Sequence, residues 1–397
     1  MKRNLSVIPM LFAKAPGLSY KMFLGFLKMN AAKYKPRRNY GYNHLKNLCL
    51  VYFKLTPHCN LRCVMCGQYG VKGTVNSQIL PNESDNIVFL ERYKEIIDEI
   101  TPYKPVIYLW GGEPFLYPEL FPLVRYIADK GLFVSVNTNG TMLEKNAGQI
   151  VNDKWSTIFV SLDGIGKVND AIRGKDSYER AIKGIKAINN EKRKRKSNLP
   201  FLGLVTTVTN MNYLYLDEFV EISRGWNIDL HMFNLGTYTN GKIIEEHRKV
   251  IKEKLNVESN FLEGYNTGYN TNIDTKKLYD ILRRLHRKEL RHPIITVPSL
   301  NPEKIDTYYS DLEIPIRRRC IVPWCQTNIN YNGDVHFCAD YPDFITGNIK
   351  TQSFTEIMNG DRANLFRKTI HSCENGMFPG CRRCYQNMLF GERMNGF

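Results

Sequence analysis

Leu48-Cys49-Leu50-Val51-Tyr52-Phe53-Lys54-Leu55 runs into Thr56-Pro57-His58 and then into Cys59-Asn60-Leu61-Arg62-Cys63-Val64-Met65-Cys66. The first eight residues are rich in β-formers and are closed off by a proline, so they read as a strand. The three cysteines follow on the loop at its C-terminal end. Thiolates spaced CxxxCxxC on one loop can ligate three irons of a 4Fe–4S cluster and leave the fourth iron without a protein ligand. A four-cysteine site is closed, whereas an open coordination position is where substrate or cofactor binds. A zinc ion would want a fourth Cys or His nearby, and His58 is too close along the chain to complete the same tetrahedron.

Working outward from Leu48–Leu55, five further β-rich runs appear: Val106–Trp110, Phe133–Asn137, Thr157–Leu162, Phe201–Thr207 and Leu230–Asn234. Amphipathic stretches such as Phe89–Ile100, Leu120–Lys130 and Tyr178–Asn190 lie between them. Such alternation predicts an α/β fold with a parallel sheet and helices outside it. Six units are too few for a closed eight-fold barrel of about 250 residues, so the expectation is a partial (β/α)6 TIM-like barrel. Functional residues of such folds gather at the C-terminal strand ends.

The other motifs sit there. Gly111-Gly112-Glu113-Pro114 ends the second strand, Asn137-Thr138-Asn139-Gly140 the third, and Ser161-Leu162-Asp163-Gly164 the fourth. Arg173 follows in Asp170-Ala171-Ile172-Arg173-Gly174. Together with the cysteine loop, this set resembles the radical S-adenosylmethionine (radical SAM) superfamily. The resemblance implies a reductive cleavage of SAM to a 5′-deoxyadenosyl radical. It assigns Cys59, Cys63 and Cys66 to the cluster. Gly111 and Gly112 would let the backbone approach the cofactor, Glu113 would accept from its ammonium, Asn139 would lie near its ribose, and Ser161 and Arg173 would hold its carboxylate. Turn and cap roles compete at Asn139, Asp163 and Gly164.

The last 78 residues hold Cys320, Cys325, Cys338, Cys373, Cys381 and Cys384. Asn332-Gly333 between β-rich runs signals a hairpin. This module resembles the SPASM or shorter twitch extension, which binds auxiliary 4Fe–4S clusters. The expected arrangement is one auxiliary cluster on Cys320, Cys338, Cys381 and Cys384, with a second cluster left open because Cys325 and Cys373 remain; a zinc site is the competing reading. Cys325 and Cys373 are also candidate hydrogen-atom donors. Asp340 is a candidate base, although related dehydrogenases place an Asp directly after the equivalent Cys. Cys49 reads as a buried apolar residue.

The expected organisation is a basic extension (1–47), the radical SAM core (48–235), a helical bridge without strand rhythm (236–319) and the Cys-rich module (320–397). Helices are expected in the bridge at Ile243–Lys254 and Thr275–Glu289. The formal net charge is +16, and residues 1–82 carry 13 Lys and Arg with no acidic residue. That segment would attract phosphate or an anionic lipid face, and Leu18–Tyr34 can form a basic amphipathic helix. The run Lys192–Lys196 reads as a solvated loop, and nucleic acid is an unlikely partner. No apolar run reaches the roughly 20 residues of a membrane span, no signal peptide is evident, and clustered thiols suit a reducing cytoplasm.

An electron carrier has no use for the motifs beyond the cysteines, so the chain reads as an enzyme. The resemblance implies an external electron donor of flavodoxin or ferredoxin type and an organic substrate, with oxidation, bond formation or epimerisation as outcome. A sugar, glycan or lipid-linked substrate is preferred on the basic segment. Peptide or protein modification is the alternative, although the 47 residues before the first strand lack the β-rich pattern of a leader-binding domain of about 80 residues.

Overall fold

The computed structural model describes residues 19–20, 24, 27–28, 44–74, 86–287, 292–300, 304–339 and 341–393. Most of the basic extension, including the bulk of the Leu18–Tyr34 helix and its proposed membrane or phosphate contact, lies outside these residues, as does Asp340. Within the barrel region the order is β1 (Leu50–Lys54), α1 (Leu90–Ile100), β2 (Val106–Trp110), α2 (Leu120–Asp129), β3 (Phe133–Thr138), α3 (Leu143–Asn152), β4 (Thr157–Ser161), α4 (Lys167–Arg173), α5 (Ser177–Lys194), β5 (Phe201–Thr207), α6 (Leu216–Ser223) and β6 (Leu230–Asn234). These strands pair in parallel and in chain order, β1 through β6. All six predicted strands are present, within two residues at either end.

The sheet does not stop there. After α7 (Gly241–Leu255) and α8 (Thr275–Arg287), the bridge supplies β7 (Ile294–Val297), which pairs in parallel with β6. The expectation of a strandless bridge is therefore corrected. β7 is only four residues long and follows a charged stretch, so it carries little signal of its own. It forms because β6 would otherwise present an unpaired edge. On the other side, α9 (Ile305–Ser310), β8 (Arg317–Arg319) and α10 (Val322–Cys325) lead to β9 (Gln326–Ile329), which pairs in parallel with β1. β10 (Asp334–His336) and β11 (Gly347–Asn348) continue it antiparallel. The Asn332-Gly333 hairpin is as predicted, with Gly333 at φ +93°. The chain ends in α11 (Phe354–Asn359), α12 (Asp361–Ser372), α13 (Tyr385–Phe390) and β12 (Glu392–Arg393), the last paired with β8.

Alternation along each strand separates two environments. Val51 and Phe53 of β1 are fully buried against the helices, with Phe53 stacked on Tyr93 of α1 at 4.8 Å. Leu50, Tyr52 and Lys54 face the other way, into the barrel, where Tyr52 meets Tyr108 at 5.1 Å. Strand-entry residues Phe133, Phe201 and Leu230, with Val106, Phe159 and Ile295, form an apolar floor. The basic run expected as a loop begins inside α5: Lys192 donates to Pro200 O at 2.8 Å, and Lys194 pairs with Glu191. Its last two residues leave the helix. None of the ten cysteines is in a disulfide.

Candidate functional site

Cys59, Cys63 and Cys66 stand on the loop after β1, each partly accessible. Short-range bonds shape the loop. Leu61 N donates toward Cys59 Sγ at 3.5 Å, and Gln68 N and Tyr69 N point at Cys66 Sγ at 3.4 Å each. Arg62 donates to Cys59 O and lies 4.7 Å over the Tyr69 ring. N–H groups aimed at sulfur favour a thiolate over a thiol, as a cluster ligand requires. Burial pushes the Cys63 thiol up to about 12, countered by Arg173 and reinforced by Cys66, Asp163 and Cys59. The three thiols therefore share one electrostatic neighbourhood, and iron must displace the proton.

Gly111 and Gly112 stand where the end of β2 meets the cysteine loop. Gly111, at φ +151°, would set a Cβ 2.7 Å from Thr56 O; at Gly112 it would lie 2.0 Å from His58 O. Their bareness lets β2 close on the base of the cysteine loop. Gly112 N donates to Thr56 O and Glu113 N to His58 O, at 2.9 and 2.8 Å. Glu113 is fully buried. Its carboxylate accepts from Thr138 Oγ1 (2.7 Å), Phe115 N (3.2 Å) and Asn139 N (2.8 Å). Burial raises it to about 7 against those three bonds. One carboxylate thus ties the end of β2 to the end of β3, beside Cys59.

Asn139 closes a ring that the sequence did not announce. Its Nδ2 donates to Asn60 Oδ1 at 2.8 Å, Asn60 Nδ2 to Thr141 Oγ1 at 2.9 Å, and Thr141 Oγ1 to Asn139 Oδ1 at 2.7 Å. Asn60 lies between the first two cysteines, so the β3 end grips the loop directly. Ser161 ends β4 with 8% exposure. Arg173 has Asp163 as its charge partner, Nε to Oδ2 at 2.7 Å, and Asp163 also accepts from Thr207 N at 2.8 Å. The terminal amino groups of Arg173 form no hydrogen bond among the described residues. Val64 N donates to Ile172 O at 2.9 Å, holding the loop against α4.

In the C-terminal module, burial pushes the Cys338 thiol well up, reinforced by Cys381, Cys384 and Cys320 in that order. These are the four residues expected together. Among the described residues no three His, Cys, Asp or Glu are drawn tightly enough to hold a single metal ion; a four-iron cube needs a wider frame than a tetrahedron of Zn–S bonds of about 2.3 Å. Sequence reading missed what carries the Cys381–Cys384 turn. Arg383, fully buried, donates to Tyr308 O (2.9 Å), Ile314 O (2.9 Å) and Asp311 O (2.7 Å), and Gly380 N donates to His247 Nδ1 at 3.3 Å. Cys373 sits one short turn from the Cys320 backbone: Gly376 N donates to Cys373 O, and Cys320 N to Gly376 O. Cys325 is elsewhere. It precedes β9 and packs with Cys49 and Ile321 at the strand-entry end of the sheet, opposite the cysteine loop. The geometry does not bring it to the site.

A last side chain faces the barrel mouth. Lys54 Nζ lies 5.9 Å from the Trp110 ring and 5.6 Å from the Tyr331 ring. Burial lowers it to about 8, opposed by Cys66.

Residues 53–222 match the model of the radical SAM superfamily, and residues 320–385 match an iron–sulfur cluster-binding domain, SPASM. The chain belongs to the radical SAM enzymes, which use a 4Fe–4S cluster and SAM. More narrowly, it is a member whose C-terminal module is a SPASM domain, which adds auxiliary iron–sulfur binding. It is 25% identical over 329 residues to the Fe-coproporphyrin III synthase of Methanosarcina barkeri, covering 78% of this chain and 73% of that protein. It is 29% identical to the mycofactocin maturase of Mycolicibacterium smegmatis over 47% of this chain and 44% of the other. Streptococcus suis SuiB bound to S-adenosylmethionine shares the fold, with a TM-score of 0.58 at 16% identity over 88% of this chain and 77% of SuiB. No helix among the described residues is long and apolar enough to cross a membrane.

Proposed function

We propose that this chain uses Cys59, Cys63 and Cys66 to hold the SAM-cleaving cluster, and Cys320, Cys338, Cys381 and Cys384 to hold one auxiliary cluster. When bound, cluster and SAM supply a 5′-deoxyadenosyl radical that takes hydrogen from a substrate carbon, with an external flavodoxin- or ferredoxin-type protein as electron source. The observation that carries this reading is the placement of Glu113: backbone bonded to His58 beside Cys59, side chain bonded to Thr138 and Asn139. Its Oε2 accepts a single bond, so it keeps capacity for an ammonium group. Arg173, with Nε spent on Asp163, keeps its terminal amino groups for the carboxylate of the same molecule, and Ser161 ends β4 two residues before Asp163.

The preference for a glycan or lipid-linked substrate rested on residues 1–47, most of which lie outside the described residues, and none of the relatives compared above is named for such a substrate. The 329-residue alignment with the coproporphyrin synthase supports a carboxylate-bearing organic substrate of the tetrapyrrole kind. Peptide modification is the second reading, supported by the maturase.

Anaerobically reduced, iron-loaded protein given SAM is expected to form 5′-deoxyadenosine, detectable by mass spectrometry. Glu113→Gln should lower that rate about tenfold to a hundredfold, the cost of losing a charged acceptor. Production no greater than from Cys63→Ser protein would end this reading.

A further inference from the structure

One side of the barrel interior, from the level of the apolar floor up to the mouth, is polar and unsatisfied. Gln326 and Asn328 of β9 share the register and the face of Leu50 and Tyr52 on β1. Gln326 is fully buried with neither amide atom hydrogen-bonded, and Asn328 Oδ1 is likewise without a partner. Ser135 Oγ, Asn137 Oδ1 and Trp110 Nε1 add three more unpartnered atoms on β3 and β2. Buried polar atoms without partners cost roughly 1–3 kcal/mol each, so a native protein rarely keeps several on one wall unless something fills them. Lys54 stands among them, in register with Trp110 across β1 and β2. It has no ion pair or hydrogen bond among the described residues, only the faces of Trp110 and Tyr331. Lys54 is half-buried, with Cys66 as the charge that opposes its desolvation, and a cation withdrawn from water calls for a counter-charge.

We propose that the wall of β9, β1, β2 and β3 is a substrate subsite for a carboxylate, with the Lys54 ammonium as its charge partner and the Trp110 indole N–H as a second donor. Lys54 is five residues before Cys59, the first cysteine of the loop, and opens to the same mouth, so an anchored carboxylate would fix which substrate carbon faces the cysteine loop. The inference rests on the barrel being the reaction chamber, as proposed above, but not on any turnover.

The test uses the anaerobically reconstituted full-length chain and amine-reactive labelling of Lys54 followed by mass spectrometry. Millimolar propionate is expected to slow labelling at Lys54 at least about fivefold, and propionamide, its neutral counterpart, to leave it unchanged. Two larger carboxylates then separate the sources: coproporphyrin III, read also by its visible absorption, and a glutamate-containing pentapeptide. One of them should protect at micromolar concentration. Its affinity should fall about tenfold or more in Lys54→Met and return within about threefold in Lys54→Arg. Iron content and cluster absorbance of the variants report folding. Equal effects of propionate and propionamide would overturn the subsite. So would propionate protection that neither larger carboxylate improves, since the wall would then serve no substrate. Absence of 5′-deoxyadenosine from the same preparation would instead remove the catalytic reading and leave these binding results standing.

Discussion

Cys59, Cys63 and Cys66 come from eight consecutive residues and keep partial exposure, whereas Cys320, Cys381 and Cys384 are buried and Cys338 joins them from across a hairpin. The first set is shaped largely by its own loop, through N–H groups two or three residues from the sulfurs of Cys59 and Cys66. The second is shaped by the fold: β9 and β10 set one side, and Arg383 and His247 hold the other against the bridge. A local site asks little of the protein's stability. A site gathered from distant segments is itself a fastener, because ligand binding there is folding free energy.

The sharpest way to break this contrast is to remove one ligand from each. Cys63→Ser should reduce SAM cleavage to background while costing under about 1 kcal/mol of unfolding free energy. Cys338→Ser should lose its iron and about 3 kcal/mol or more. Thermal unfolding of the iron-loaded proteins reads both, and equal shifts would erase the distinction. Next in size is Gly112→Ala, whose Cβ meets the His58 carbonyl at 2.0 Å. A cost of about 3 kcal/mol is expected, with poorer iron loading. Gly131→Ala, with nothing within 4 Å and φ +71°, should cost only about 1 kcal/mol, all of it backbone strain. Denaturant midpoints distinguish the two.

Asn60→Ala should be milder, about 1–2 kcal/mol for the broken ring with Asn139 and Thr141. It sharpens the comparison if iron loading at the first site drops while the second keeps its iron.

The smallest effect is one of pH. Burial lowers His44, His231, His247 and His336 to about 3. An unfolded His titrates near 6.5. Below that pH the unfolded chain takes up protons the native state refuses, so stability falls as pH drops from about 6.5 toward 3. Glu113, raised to about 7, acts in the opposite sense and adds stability as pH falls from 7 toward its unfolded value near 4.5. Four groups outweigh one, so net acid sensitivity is expected. His231→Gln, which keeps a partner for Thr206, should flatten the slope by at most about 1.4 kcal/mol per pH unit. An unchanged slope in denaturant titrations between pH 7 and 5.5 would show that His231 does not contribute.

Much of the site was legible because its chemistry is local. The cysteine loop, Gly111-Gly112-Glu113 and Asn139 each sit at a strand end, and strand ends can be read from hydrophobic runs. β7 was not legible, and neither was the pairing of the hairpin strand β9 with β1: Ile294–Val297 is short, and both strands add to an edge of the parallel sheet that offers unpaired hydrogen bonds. Cys325 looked like a site residue by its spacing and lies at the far end of the sheet, since chain proximity to Cys320 says nothing about which end of a strand a thiol occupies.

The amino-acid sequence by itself determined the alternating strands, the cysteine loop and the motifs beside it, because period-two hydrophobicity and short-range spacing act within a few residues. Tertiary structure alone decided that β9 of the C-terminal module joins β1, that Arg383 bolts the late cysteines to the bridge, and that Lys54 faces inward without a carboxylate among the described residues. Those outcomes depend on which edges meet and which faces close, and such meetings join residues tens to hundreds of positions apart.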